Sequence, residues 1–365
     1  MGCISNKGID LKDIQAKTIK DLQYEFEIEI IGNGILLKDQ RLATYLTKEG
    51  IFICSIDISN KTWKIDIMHK LENKVEGEGI FAICELCNNK LAVSYYGRSP
   101  IIKNESQSDI SDIDEEWEFI RKVQIWKIEQ INLTLINELK QEEMVSNIVS
   151  LPNNNFATLM PYAHKVIIWK DNDNSFTIVS EQIEEGDVAV LIQLKGKDEL
   201  VTTGELVQKD DINYFVTFWD LKNKKKKHTI KGYGVTNQSE ILELSSGNIA
   251  LSCCKHSSES ISNNSNNIDN FIIIIDTNKY TIIKKIESDE HFFGSCFLSY
   301  FNEESFFAVE SGIFVQISSK DFSIMYDYLN EDEIQCSNVI IMNGGKYVII
   351  KNKNSGFSIF KIILD

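Results

Sequence analysis

LPNNNFATLMPYAHKVIIWK, residues 151–170, contains the unit from which this chain is built. An apolar residue enters an asparagine-rich turn, a β-branched or apolar strand follows, and a second strand ends in tryptophan. The turn returns with asparagine or glycine at its centre in residues 86–92, 151–157, 244–250 and 342–348, with a looser copy at 194–201. A unit made only of strands that recurs about every 40–50 residues indicates a repeat fold built of small sheets.

The residue that closes the second strand sets the period of the repeat. Three units have tryptophan there, and the weaker units have another apolar residue. The seven anchors are Ile56, Trp126, Trp169, Trp219, Ile275, Ile317 and Phe360, with spacings of 70, 43, 50, 56, 42 and 43 residues. Hydrophilic insertions at 98–118 and 256–270 account for long spacings. Without them the period approaches the length of a four-stranded propeller blade, about 40–45 residues.

One anchor carries a family resemblance. Phe218-Trp219-Asp220-Leu221 resembles the ending of the third strand in the WD-repeat family. The resemblance covers nearly the whole chain in degenerate form, because only Trp219-Asp220 keeps the dipeptide and no unit has the family's Gly-His pair. It implies an all-β, seven-bladed β-propeller of four-stranded blades. It also implies a non-catalytic scaffold, since propellers of this family gather partner proteins on their faces.

The two ends of the chain predict how the propeller closes. Residues 22–30 alternate apolar and polar side chains, which is typical of a half-buried strand. The last unit has only three strands before the chain reaches Asp365. We therefore expect the N-terminal strand to complete the final blade and remove an open sheet edge. The predicted organisation is a tether at 1–21 and one propeller domain at 22–365.

The first residues, Met1-Gly2-Cys3-Ile4-Ser5-Asn6-Lys7, partly match the N-myristoylation pattern. The match is imperfect because position 6 is asparagine and the serine is at position 5. Stable anchoring requires a second lipid signal, which S-acylation of Cys3 would provide beside the myristate on Gly2. Two hypotheses stay open: a lipid anchor at the cytoplasmic face of a membrane, and the ordinary N-terminus of a cytoplasmic protein.

The insertion at 98–118 is the candidate partner-binding loop, because its acidic residues adjoin an aromatic one. Its candidate contact residues are Asp109, Asp112, Asp114, Glu115, Glu116 and Trp117. Ser106 and Ser111 are possible phosphorylation sites, since each has an aspartate three residues on. The alternative is a tolerated surface loop without function. We expect this insertion and the Ser/Asn-rich one at 256–270 to lie between the second and third strands of their blades.

Charge argues against a nucleic-acid partner. The net charge is −16, and only three of the 38 basic residues are arginine, the residue favoured for base and phosphate contacts. One basic run, Lys222–His228, interrupted by Asn223, is predicted to be a solvated turn in blade 4 that prevents edge pairing. A contact with an anionic lipid or an acidic partner is the alternative.

Residue patterns typical of enzymes and metal sites are weak in this sequence. The five histidines share no position in the repeat, and no common catalytic or phosphate-binding motif occurs. Cys84 and Cys87 form a C-x-x-C without the second pair that a zinc site needs, which favours a structural role. We therefore expect no catalytic residues, no metal and no cofactor. The alternatives are a soluble adaptor in a cytoskeletal or ubiquitin-ligase assembly and, third, a propeller hydrolase.

Overall fold

The computed structural model describes residues 19–28, 34–46, 50–70, 79–100, 117–130, 132–208, 211–233, 241–256, 268–287, 296–310, 313–329, 336–342, 346–352 and 356–364. All secondary-structure elements assigned in these ranges are β-strands. No helix in them is long and apolar enough to cross a membrane.

From the N-terminal side to residue 231, the strands are β1 (Ile19–Ile28), β2 (Gly34–Leu36), β3 (Leu42–Leu46), β4 (Gly50–Asp57), β5 (Thr62–Lys70), β6 (Gly79–Leu86), β7 (Lys90–Pro100), β8 (Trp117–Ile128), β9 (Leu133–Lys140), β10 (Asn147–Leu151), β11 (Asn155–Met160), β12 (Lys165–Asn172), β13 (Ser175–Ile183), β14 (Asp187–Gln193), β15 (Glu199–Gln208), β16 (Asp211–Asp220) and β17 (Lys225–Lys231). The remaining strands are β18 (Ile241–Glu243), β19 (Ile249–His256), β20 (Ile268–Asp276), β21 (Thr281–Ile286), β22 (Phe297–Asn302), β23 (Ser305–Glu310), β24 (Ile313–Ser318), β25 (Ile324–Leu329), β26 (Cys336–Met342), β27 (Tyr347–Asn352) and β28 (Gly356–Leu364).

Within the described ranges these strands form seven four-stranded sheets, which are the blades of a seven-bladed β-propeller. Blade 1 contains β2–β5, and each later blade takes the next four strands, until blade 7 combines β26–β28 with β1. We call the strands of a blade a, b, c and d in chain order, with β1 as strand d of blade 7. Strands a and d are the edges of each sheet. The predicted fold class is confirmed.

Strand β1 completes the last blade, as predicted. It pairs antiparallel with β28, from Ile19 opposite Leu364 to Ile28 opposite Phe357. Pairing begins three residues before the alternating segment at 22–30, so the strand starts inside the predicted tether. The remainder of the tether, residues 1–18, lies outside the described residues.

The chain divides into two compact units, each with its own cores. One unit contains residues 32–56 and 63–191, and the other contains 1–31, 57–62 and 192–365. In the first unit, apolar side chains pack between blades 1 and 2 and between blades 2 and 3. In the second, comparable cores lie between blades 5 and 6 and between blades 6 and 7. Burial between successive sheets is the physical reason that a blade depends on its neighbours.

The recurring asparagines are explained by the hairpins between strands a and b. Asn88 and Asn89 have φ of 60° and 55°, and Asn153 and Asn154 have φ of 59° and 58°. Two successive left-handed residues define a type I′ turn, in which asparagine is favoured because it tolerates this conformation better than most residues. In blade 5 the left-handed position is Gly247, with φ of 79°.

Six of the seven predicted anchors share one register, and the anchor of blade 1 does not. Each of the six pairs with the first or second residue of strand b: Trp126 with Leu91, Trp169 with Phe156, Trp219 with Leu200, Ile275 with Ile249, Ile317 with Phe306 and Phe360 with Val348. In blade 1 that position pairs Leu42 with Cys54, so Ile56 is wrong by two residues. Ile56 is misleading because the c–d hairpin of blade 1 continues two residues further before its turn.

Two of the anchor tryptophans are fixed by hydrogen bonds inside their blades. Trp169 Nε1 donates to Thr158 Oγ1 at 3.0 Å, and Trp219 Nε1 donates to Thr202 Oγ1 at 2.9 Å. Blade 2 has Val93 at the equivalent position of strand b, and Trp126 Nε1 has no hydrogen-bond partner among the described residues. Trp126 is nevertheless buried, with 4% of its surface exposed.

Polar contacts tie neighbouring blades within each unit. Lys90 of blade 2 reaches the end of strand c in blade 3, where its Nζ lies 2.6 Å from Oδ2 of Asp171. In blade 4 the Nζ of Lys197 donates to Thr277 Oγ1 of blade 5 at 2.7 Å. Because Asp171 and Thr277 each lie two residues after an anchor, the same position of the c–d hairpin receives a lysine in both pairs of blades.

Both insertions lie where they were predicted, between strands b and c, but they are shorter. At the ends of the first insertion, β7 and β8 include residues 98–100 and 117–118 as paired residues. At the ends of the second, β19 and β20 include residues 256 and 268–270.

The basic run also differs from its prediction. Lys222–Lys224 lie in the turn, while Lys225–His228 belong to β17, strand d of blade 4.

Candidate protein-binding surface

Most of the residues predicted from the sequence to carry function lie outside the described residues. These are Gly2, Cys3, Ser106, Asp109, Ser111, Asp112, Asp114, Glu115 and Glu116. For Trp117, the structure describes the backbone position. Trp117 is the first residue of β8 and pairs with Pro100 at the end of β7. The predicted loop therefore begins and ends on the b–c hairpin of blade 2.

This hairpin is longer than its counterpart in blade 3. Strand β8 begins nine residues before its anchor Trp126, whereas β12 begins four residues before Trp169. At about 3.3 Å per residue, the five additional residues lengthen the hairpin by roughly 17 Å. The hairpin pairs without a register shift from Lys90–Lys127 to Pro100–Trp117. Insertion 101–116 is thus attached to a regular two-stranded arm.

Three aromatic side chains meet near the base of this arm, one from each of strands a, b and c of blade 2. The Phe81 and Tyr96 ring centroids are 5.8 Å apart with an edge-to-face orientation, and those of Tyr96 and Phe119 are 6.1 Å apart and stacked. Phe81 is 43% exposed and Phe119 is 51% exposed. We call Phe81, Tyr96 and Phe119 the blade-2 aromatic cluster. Large apolar side chains that cluster at the surface mark interaction sites more often than isolated ones do.

A bulge in β6 produces the exposure of Phe81. The register of β6 against β7 shifts between Ile80 and Ala82, so that Phe81 is the extra residue. Its carbonyl oxygen accepts a hydrogen bond from the hydroxyl of Tyr45 in blade 1, at 3.2 Å. Because a bulge redirects one side chain and leaves backbone groups unpaired, the bond from Tyr45 stabilises this irregular conformation.

Two of the chain's three arginines adjoin the cluster. Arg98 pairs with Phe119 across the b–c ladder and is exposed. Arg121 places its guanidinium carbon 4.9 Å from the Phe119 ring centroid, donates from Nη1 to the carbonyl oxygen of Glu142 at 2.7 Å, and lies 3.5 Å from the Glu143 carboxylate. Aromatic residues and arginine are the residue types that contribute most to binding at protein interfaces.

Sequence reasoning found only part of this surface. It identified Trp117 and the acidic insertion, but neither Phe81 nor Tyr96. The bulge interrupts the alternation of apolar and polar residues in β6, so the sequence pattern does not predict that Phe81 is exposed. The rarity of arginine was a usable signal: in an otherwise lysine-rich chain, Arg98 and Arg121 lie on the two strands that flank residues 101–116.

Two of the described cysteines, Cys54 and Cys84, have raised thiol pKa values. Burial raises the pKa of the Cys84 thiol to about 12, so this thiol is protonated at neutral pH and is a poor nucleophile. Burial likewise raises the pKa of Cys54 to about 12. The described part of the chain has no group of three or more His, Cys, Asp or Glu side chains placed to hold a metal ion.

A cleft of about 600 Å³ lies between blades 1 and 2, at the end where the a–b and c–d turns are found. Its charged residues have both signs: Lys38, Arg41 and Lys127 are accompanied by Asp39, Glu85 and Glu129. Arg41 pairs with Asp39 at 2.7 Å, and the Glu85 carboxylate accepts the backbone N–H of Lys38 at 2.9 Å. Burial raises the pKa of Glu85. The mixed charges give this cleft no preference for a cationic or an anionic ligand.

No family model matches the chain, and no curated protein sequence matches it. Among solved structures, hydrazine synthase of Kuenenia stuttgartiensis aligns with a TM-score of 0.65 and 11% identity over 95% of this chain and 98% of the other. A chain of the mitotic checkpoint complex aligns with a TM-score of 0.61 and 9% identity, over 100% of this chain and 97% of the other. At these sequence identities the comparisons show a similarity of fold alone. One of these structures is named for an enzyme and the other for a protein complex, so similarity of fold does not decide between the two classes of function.

Proposed function

We propose that this protein is a non-catalytic scaffold that binds other proteins, and that the blade-2 aromatic cluster is one of its contact surfaces. The observation that carries the proposal is the exposure of Phe81 and Phe119, at 43% and 51%, in one cluster with Tyr96. Exposing aromatic surface to water is unfavourable, and a partner that covers the rings regains this free energy. The resemblance to WD-repeat propellers supports the same class of function.

The acidic insertion belongs to the same proposed surface because it is connected to the arm that carries Phe119. Its acidic residues would attract a partner with a basic patch and steer its approach, and the aromatic cluster would supply the apolar contact. Phosphorylation of Ser106 or Ser111 would add roughly −1.5 to −2 charges at each site and strengthen that attraction.

The scaffold has two candidate locations in the cell. The N-terminal Gly2-Cys3 supports a membrane-tethered form with myristate and an S-acyl chain at the cytoplasmic face. A soluble adaptor, for example in a cytoskeletal or ubiquitin-ligase assembly, requires only the propeller. A hydrolase is the third candidate, and none of the described side chains favours it.

Recovery of partners from cells that express the natural protein tests the proposed function. Proteins recovered with the wild type are compared with those recovered with the double variant Phe81→Ser, Phe119→Ser, after both have been shown to fold alike by circular dichroism. Tyr162→Ser is the matched control, because Tyr162 is 63% exposed and does not belong to the cluster. The proposal expects partners that the double variant loses and the control retains. Identical recovery with all three proteins would contradict it.

A further inference from the structure

The edge strand of blade 4 is the most basic of the seven d strands. Residues 222–231 contain six lysines and one histidine and no acidic residue. Five of the other d strands, β1, β5, β9, β13 and β25, contain at least one aspartate or glutamate, and β21 has two lysines. In a chain of net charge −16, this is a concentrated patch of positive charge. We call Lys225–Lys231 the basic edge.

The carboxylates nearest to the basic edge are already engaged. Glu199 accepts from Lys227 and from the Tyr280 hydroxyl, the latter at 3.2 Å. Asp220 accepts the backbone N–H of Asn223 at 2.7 Å and its side-chain amide at 2.8 Å, and these hydrogen bonds lower the pKa of Asp220. Asp220 lies opposite Lys225 in the ladder between β16 and β17, but no ion pair joins Lys225 or Lys231 to a carboxylate among the described residues.

The backbone of the basic edge is open on one side. Strand β17 pairs with β16 alone among the described strands, from Phe215–Lys231 to Asp220–Lys225. Its opposite side therefore presents backbone N–H and C=O groups that an extended peptide can bind by adding a fifth strand to the sheet. Lysine on such an edge opposes neutral or basic strands, because pairing with them would desolvate or repel the ammonium groups.

We infer that the basic edge binds an acidic segment of a partner protein in an extended conformation. Carboxylates directly opposite Lys225 and Lys231 would form favourable cross-strand pairs, while the backbone ladder would supply the remaining contacts. The lysines that exclude other strands thereby select an acidic one. This inference uses residues of blade 4 only, so it holds or fails independently of the blade-2 aromatic cluster.

An anionic membrane fits the basic edge less well. Lys225–His228 are exposed, but Thr229 and Ile230 are half-buried, so the strand has no exposed apolar side chain to insert between lipids. A protein of net charge −16 is also repelled as a whole by an anionic bilayer. Nucleic acid faces the same repulsion, and the patch has lysine and no arginine.

A peptide titration tests this inference. The probe is a fluorescent peptide in which glutamate alternates with threonine, of the length of Lys225–Lys231, titrated with the full-length protein at low salt. The comparison peptide has the same sequence with methyl groups on alternate backbone nitrogens, which block strand pairing but keep the charge. Vesicles of phosphatidylserine and phosphatidylcholine provide the membrane comparison.

The protein variants separate the basic edge from net charge. The test variant is Lys225→Glu, Lys231→Glu, and the matched control is Lys284→Glu, Lys320→Glu, which makes the same change in net charge at two exposed lysines elsewhere. We expect the test variant to weaken peptide binding about tenfold or more, since two attractive cross-strand pairs become repulsive, and the control to leave it unchanged. We also expect the methylated peptide not to bind.

Four results would overturn the inference. Equal affinity for the methylated peptide would show attraction by charge without strand addition. Equal loss in the two double variants would assign the effect to net charge. Binding to vesicles that depends on Lys225 and Lys231, or no binding of the peptide by a folded wild type, would remove the acidic strand as the ligand.

Discussion

Lys90 and Asp171 form a buried ion pair that joins two neighbouring blades. The Lys90 Nζ lies 2.6 Å from one carboxylate oxygen of Asp171 and 2.8 Å from the other, and the two side chains are 7% and 4% exposed. The same ammonium group donates to the carbonyl oxygen of Asp173. The c–d turn of blade 3 is thereby fixed to strand b of blade 2, although the two residues are 81 positions apart in the chain.

Removing one partner of this pair should destabilise the protein strongly. Lys90→Met leaves the Asp171 carboxylate buried without a cation, which costs about 3–5 kcal/mol of unfolding free energy. The double variant Lys90→Met, Asp171→Leu removes both charges and should recover most of that loss. Denaturant unfolding of the wild type, both single variants and the double variant measures the coupling. If the double variant loses as much unfolding free energy as the two single variants together, the two side chains contribute independently and the account of the pair is wrong.

Blade 2 should become more stable when its tryptophan receives an acceptor. Val93→Thr places a hydroxyl where Thr158 and Thr202 bind the anchor tryptophans of blades 3 and 4, and a new bond from Trp126 is worth about 0.5–1.5 kcal/mol. The converse change, Thr158→Val, should cost about 1–3 kcal/mol because Trp169 loses its buried acceptor. Unfolding midpoints of the two variants should therefore move in opposite directions. A lower midpoint for Val93→Thr would mean that the new hydroxyl is buried without a hydrogen bond from Trp126.

The N-terminal strand gives a sharp boundary for truncation. Deleting residues 1–18 keeps all of β1, whereas deleting 1–30 removes it and exposes β28 as an unpaired edge. We expect the shorter deletion to melt like the full chain and the longer one to melt at lower temperature and to aggregate. Thermal unfolding followed by light scattering distinguishes them. The same midpoint for both deletions would separate β1 from the stability of the fold.

The proposed lipid tether predicts a graded response to substitution. Gly2→Ala removes the myristate and should release the protein into the soluble fraction, because a net charge of −16 opposes binding to an anionic leaflet. Cys3→Ser leaves a single myristoyl chain, which binds only weakly and reversibly, and should give a partly soluble form. Membrane fractionation of cells that express each form provides the measurement. Full solubility of the wild type would favour the soluble adaptor.

Local sequence predicted the features that depend on local physics. The asparagine pairs predicted hairpins because the left-handed conformation of Asn88 and Asn89 restricts the choice of residue. The apolar run Ile272–Ile275 is typical of a central strand, and all four side chains are fully buried in β20. The insertions were placed between strands b and c because they interrupt the repeat there.

Features that depend on distant partners were not predictable. Lys90 looked like any turn lysine, and only the packing of blade 3 against blade 2 brings Asp171 to it. Cys54 could not be identified as an anchor, because the length of the c–d hairpin varies between blades and Ile56 matched the pattern of the turn. The bulge at Phe81 depends on pairing with β7 and on Tyr45 of another blade. The candidate surface therefore became visible only in the structure.

Photo-crosslinking at Phe119 tests the central claim most directly. A photoreactive benzoyl-phenylalanine at position 119 preserves an aromatic side chain at a half-exposed site, and the same replacement of Tyr162 is the control. If the blade-2 aromatic cluster is a protein contact, irradiation of cells should give discrete crosslinked products at position 119 that are absent at 162 and disappear in the Phe81→Ser background. Crosslinking that is absent or the same at both positions in a correctly folded protein would contradict the account.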